Sequence, residues 1–182
     1  FLAPFIHEGL VAEWQPKVLT IGLGKKPYKR DWFEPHYVAV PRMNSLCKHL
    51  SSNLDINLNT GITGLEKFAA RDGPEWILHT GDITYQETFD WVISTAPANQ
   101  TLALFKGHLA PEILSEEIGL SSAYLSPCYS LMLGFSQPLK LGFEAAMVKN
   151  LGIEWIMVNS SKPGRSQMPT LVVQSSNQWA QD

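Results

Sequence analysis

Lys162 and Arg165 flank Pro163-Gly164 in the segment Asn159-Ser-Ser-Lys-Pro-Gly-Arg-Ser166. Pro-Gly suits the centre of a type II turn, because Pro presets its own φ and Gly supplies the positive φ that follows. Two cations on such a turn are either a solvent-facing tip or a pair presented to an anionic ligand. Tyr129 and Trp155 stand in apolar strand-like runs and read as core. A second stretch of interest is Glu87 to Thr101. Phe89, Trp91, Val92 and Ile93 read as a strand buried on both faces. Ser94, Thr95 and Ala96 are small, and Pro97 suits the first turn of a helix through Leu102, Leu104 and Phe105. A strand that runs through small residues into a helix lets a ligand approach the backbone closely.

Other chemistries find little footing. No serine or cysteine stands in a nucleophile motif, and no catalytic acid is indicated; Glu116-Glu117 reads as the solvated side of a helix. The five histidines show no metal-ligand spacing, so no metal site is expected, and His49 reads as a surface or satisfied histidine. Gly22-Leu-Gly24 lacks the third glycine and the helix start of a dinucleotide loop and reads as a turn. Chemistry on this chain would therefore be borrowed from a cofactor, or the chain only binds.

The 182 residues suffice for one sizeable core or two intimate lobes, and the formal charge of −3 argues against a nucleic-acid partner. Lys25, Lys26, Lys29 and Arg30 cluster, but Asp31 and Glu34 follow, which is the pattern of a solvated loop. No apolar run approaches the roughly 18 residues of a membrane span, and no signal peptide is evident. Cys47 and Cys128 lack a CxxC spacing and are expected to be buried thiols in a reducing, cytoplasmic setting. The chain begins at Phe1 and is read as a piece of a longer protein.

The elements that must position these residues follow from periodicity. Phe5, Ile6, Leu10, Val11 and Trp14 mark a short helical face; Val18 to Leu23 reads as a strand, and Tyr37 to Pro41 as extended chain. Met43, Leu46, Cys47, Leu50 and Leu54 recur at helical spacing, with Ser51, Ser52 and Asn53 ending the helix. From Asp55 the period becomes two, which predicts a four-stranded antiparallel meander: Ile56 and Leu58, then Ile62 to Phe68, Trp76 to Thr80, and Ile83 to Tyr85. A short helix from Pro111 to Ile118 and a long strand from Tyr124 to Phe135 come next. In that strand Tyr129, Leu131, Leu133 and Phe135 form a bulky core face opposite small residues. Trp155 to Asn159 and Leu171 to Ser175 are the last two strands.

In this order and spacing, five segments resemble the flavin-containing amine oxidase superfamily, and more closely its bacterial renalase-like branch. They are Tyr37 to Leu46, Trp76 to His79, Phe89 to Pro97, Pro127 to Leu133 and Asn159 to Arg165. The resemblance implies an α+β fold: an antiparallel or mixed substrate-domain sheet with flanking helices, plus a meander and one strand belonging to a Rossmann-like FAD lobe. It divides the chain into a substrate-lobe segment at 1–50, a partial FAD-lobe segment at 51–97 and a substrate-binding lobe at 98–182. It implies FAD as cofactor, with Ile62 near the adenine and Thr95, Ala96 and Pro97 at the strand end beside the flavin. Tyr129, Trp155, Asn159, Lys162 and Arg165 become substrate-side candidates, while no catalytic residue is assigned. Arg42 stands where the family usually has glycine before the Met. The family's GxGxxG unit and flavin-closing segment have no counterpart in these residues, so FAD is expected to bind this chain weakly or not at all.

The implied reaction is hydride transfer from an amine or a reduced nicotinamide-type substrate to flavin, followed by reoxidation by oxygen to hydrogen peroxide. The implied partner is a small molecule, with no nucleic acid and no membrane. Apolar surface on the meander is a route to self-association. The competing readings are a cofactor-free binding or interaction domain and part of a flavin-dependent hydroxylase.

Overall fold

A computed structural model describes residues 1–31, 34–70, 73–81, 83–110, 113 and 123–182. It shows an α+β fold made of two units. One unit comprises Phe1–Leu54 with Ser126–Asp182, and the other, Asp55–Leu125, is inserted between those two segments.

The first unit is built on a six-stranded mixed sheet in the order β3-β2-β9-β10-β11-β8. Its strands are β2 (Val18–Gly22), β3 (Tyr28–Lys29), β8 (Ser130–Gly134), β9 (Ala145–Lys149), β10 (Ile153–Val158) and β11 (Thr170–Ser175). Neighbours run antiparallel except β2 and β9, which pair in parallel from Val18↔Ala145 to Gly22↔Lys149. Glu144 starts that register: its carboxylate accepts from the Lys17 amide at 2.8 Å, and its own amide donates to the Lys17 carbonyl at 3.0 Å. A separate ribbon pairs β1 (Val11–Trp14) with β4 (His36–Ala39).

The core lies where Trp14 and Val38 of the ribbon meet Val18 and Ala145 of the sheet, with Trp155 and Met157 packed against them. Ala145 and Ala146 are small enough for bulky neighbours to close over β9, and Ala146 is 0% exposed. Val11 and Trp14, expected on a helix, are strand residues instead. Helix α1 covers only Ala3–His7, and Gly9 at φ 73° turns the chain out of it into β1.

Helix α2 (Ser45–Leu50) forms where helical spacing and the serines at 51 and 52 place one, but it is a single short element. Met43, Leu50 and Leu54 of its expected apolar face are exposed. β8 is likewise shorter than the expected strand. Leu131 and Leu133 are exposed on this edge strand, and Tyr129 precedes it at 65% exposure, so no bulky core face forms there. Both cysteines are exposed rather than buried; the Cys128 thiol leans on the Ser175 carbonyl at 3.5 Å.

The second unit contains the three-stranded meander β5 (Gly64–Ala70), β6 (Gly73–Thr80) and β7 (Ile83–Phe89). The turns fall near the expected places, but the segment with Ile56 and Leu58 adds no strand, and Asn59 is left-handed there at φ 57°. Helix α3 (Ala98–Leu104) follows Pro97, its N-cap. The end of this helix packs against the meander. Trp76 meets Phe105 and His108 edge-on at centroid distances of 6.0 and 5.3 Å, and the His108 Nε2 lies 3.1 Å from the Leu65 carbonyl. Residues 98–125 thus belong with the meander, and the boundary of the unit falls after Leu125.

The buried strand expected over Phe89–Ile93 is not formed. β7 ends at Phe89, and residues 91–95 continue without strand pairing. Trp91 is 84% and Ile93 85% exposed. An apolar run specifies a buried strand only where a second strand and a facing layer exist to cover it. The helix expected over 111–118, with Glu116-Glu117, lies outside the described residues apart from residue 113.

Candidate functional site

The turn at 162–165 forms as its residues dictate. Gly164 sits at φ 70°, and the Arg165 amide donates to the Lys162 carbonyl at 3.3 Å. A 3-10 turn, Asn159–Ser161, connects it to β10. The cations do not simply point into solvent. The Arg165 Nη1 donates to the carbonyls of Ala39 (3.0 Å), Pro41 and Pro163 (3.3 Å), so one guanidinium gathers the segment after β4 and the 159–166 loop. Lys162 Nζ lies 5.4 Å from the centre of the Trp14 ring, and the Trp14 indole N–H donates to Ser161 Oγ at 3.3 Å. Burial, and then the neighbouring Arg165 charge, lower the pKa of Lys162; burial lowers that of Arg165.

Two concavities result. One, about 640 Å³, lies between residues 41–43 and the loop, and is lined by Arg42, Met43, Asn159, Gly164, Arg165 and Ser166 together with the cis Pro41. The other, about 220 Å³, lies between the ribbon and the sheet. Trp14, Trp155 and Met157 give it apolar walls, and His36 and Gln174 bring polar groups to it. His36 also meets the Trp14 ring edge-on at 6.4 Å.

Of the five substrate-side candidates, Asn159 and Arg165 thus share one pocket, Lys162 caps the Trp14 ring, and Trp155 lines the aromatic hollow. Tyr129 is elsewhere. It stacks edge-on with Trp179 at 5.9 Å beside a third, apolar hollow of about 570 Å³ against β8, β11 and helix α4 (Asn177–Gln181). Residues that sequence reasoning did not bring to the site are Trp14, His36, Gln174 and Ser166. Trp14, His36 and Gln174 stand in short strands that long-range pairing assembles, while Ser166 follows Arg165 in the same loop.

The cofactor-side candidates all belong to the second unit. Ile62 is half-buried just before β5, where the Thr63 amide donates to the His79 carbonyl at 2.8 Å. Thr95, Ala96 and Pro97 are exposed ahead of α3, and the Thr101 hydroxyl ties them down by donating to the Ala96 carbonyl at 3.1 Å and meeting Ser94 Oγ at 2.7 Å. The small, accessible side chains here fit the close approach of a flat group to the backbone.

Elsewhere two ion pairs are solvent-exposed: His49 meets Glu8 at 3.6 Å and Lys29 meets Asp31 at 3.7 Å; no group of metal-ligating residues occurs among the described residues. None of the described helices is long and apolar enough to cross a membrane.

The turn itself yields a prediction. A Cβ on Gly164 would lie 2.5 Å from Val40 Cγ1, at a φ that side-chain-bearing residues disfavour. Gly164→Ala is therefore expected to destabilise the first unit by about 2 kcal/mol, read as a lower urea midpoint; an unchanged midpoint would show that the loop shifts freely. No protein-family model matches the chain.

Proposed function

We propose that the chain is part of an FAD-dependent oxidoreductase of the amine oxidase and renalase-like kind, with its substrate side in the first unit. The observation that carries this reading is the aromatic hollow of Trp14 and Trp155. Its described lining contains no serine, cysteine or carboxylate, and two indoles, a thioether and the polar tips of His36 and Gln174 suit a flat substrate held by stacking. Such a hollow orients a reactant for a redox partner rather than attacking it. Thr95, Ala96 and Pro97 would hold the flavin, and Ile62 its adenine end. The flavin, when bound, supplies the hydride acceptor. The side chains of this chain bind and orient the substrate, which is an amine or a reduced nicotinamide-type compound.

The test uses the product of the complete coding sequence. Expected is a yellow protein whose flavin absorbance bleaches anaerobically with substrate and returns in air with release of peroxide. A colourless full-length protein would overturn the proposal and favour a cofactor-free binding domain. Reduced-nicotinamide oxidation that is stimulated by a second compound and yields the hydroxylated form of that compound instead of peroxide would identify a hydroxylase.

A further inference from the structure

We propose that the pocket between residues 41–43 and 159–166 binds an oxyanion, a carboxylate or a phosphate group, through Arg42, Arg165, Asn159 and Ser166. This rests on the reading of the first unit as the substrate side and adds that the ligand carries an anionic group at this place. The charge balance supports it. Arg42, Lys162 and Arg165 converge on one loop pair, and no ion pair to any of them occurs among the described residues. The described lining contains no acidic residue.

Partly buried cations without a counter-charge are costly, and two of these already hold their protons less tightly than in water. Arg165 also has a specific deficit. Its Nη1 is committed to backbone carbonyls, while its Nη2 is buried with no partner among the described residues. Arg165 lines the pocket with its guanidinium already fixed in place by those carbonyls, so its charge acts on an oxyanion there with little side-chain entropy lost on binding. Arg42 supplies a second, exposed guanidinium with no side-chain partner among the described residues, and Asn159 and Ser166 add neutral donors. Lys162 contributes field rather than contact, because its ammonium sits over Trp14.

The test titrates the 182-residue chain with inorganic phosphate and, separately, acetate at low ionic strength by calorimetry. Saturable one-site binding that weakens with salt is expected, and the tighter anion identifies the group. Arg42→Gln, which removes no side-chain hydrogen bond or ion pair among the described residues, should weaken binding about tenfold. Lys149→Gln, an exposed cation on β9 outside the pocket, should leave it unchanged. Absence of saturable binding by both anions would overturn the proposal, as would equal effects of the two substitutions. No flavin enters this titration, so a colourless full-length protein that still binds anions sinks the redox reading alone. A flavoprotein that ignores both anions sinks only the oxyanion site.

Discussion

Trp14→Ala is expected to lower the stability of the first unit by about 3–5 kcal/mol, the range for removing a buried large aromatic. Trp14 is 7% exposed and packs between Val18, Val38 and Ala145. Truncation opens a cavity that the ribbon closes poorly, because β1 is held in register to β4 from Val11↔Ala39 to Trp14↔His36. It also removes the indole donor to Ser161 and the ring face under Lys162, leaving a half-buried ammonium without its π partner. Trp14→Phe restores most of the packing but not the N–H, and should cost about 1–2 kcal/mol. Urea unfolding followed by circular dichroism measures both. A Trp14→Ala midpoint close to that of the parent would mean that the ribbon is not part of the cooperative core.

The second large effect is at Arg165. Arg165→Ala should cost about 2–4 kcal/mol, since charge-assisted bonds to the Ala39, Pro41 and Pro163 carbonyls are lost together. Arg165→Lys should recover less than half of this. A lysine ammonium is a point charge on a flexible stem and does not reproduce the fixed fork that bridges the two segments. The same urea experiment decides it, and a lysine variant as stable as the parent would show that charge alone suffices. Arg165 is therefore expected to serve the fold as well as the ligand, which is why Arg42 is the better handle for testing the pocket.

Local spacing reaches Arg165 but not its partners. Arg165 stands in a turn whose geometry is written in Pro163-Gly164, and the loop forms as those residues require. The partners of that turn are remote. Residues 39–41 and Trp14 come to it only because β2 pairs with β9, and the ribbon then closes over Ala145. β9 itself, Ala-Ala-Met-Val-Lys, shows too little amphipathic alternation to announce a strand, and its reason for being one is the parallel neighbour far away in the chain.

Alternation and turn residues in the amino-acid sequence were enough to place β10, β11, most of the meander and the helix behind Pro97, because a two-residue or helical period and a Pro or Gly act within a few residues. The same local information grouped Asn159, Lys162 and Arg165. It misjudged Phe89–Ile93 and the Tyr129 face, where strong apolar character meets no covering layer among the described residues, and it placed both thiols inside when they are exposed. Burial is a property of the partner as much as of the residue. Tertiary structure alone decided that Arg165 would pin three carbonyls, that Lys162 would turn onto Trp14, that Trp155 would face Trp14 and that Tyr129 would stand apart, because each depends on contacts whose closure cost is met only by the assembled core.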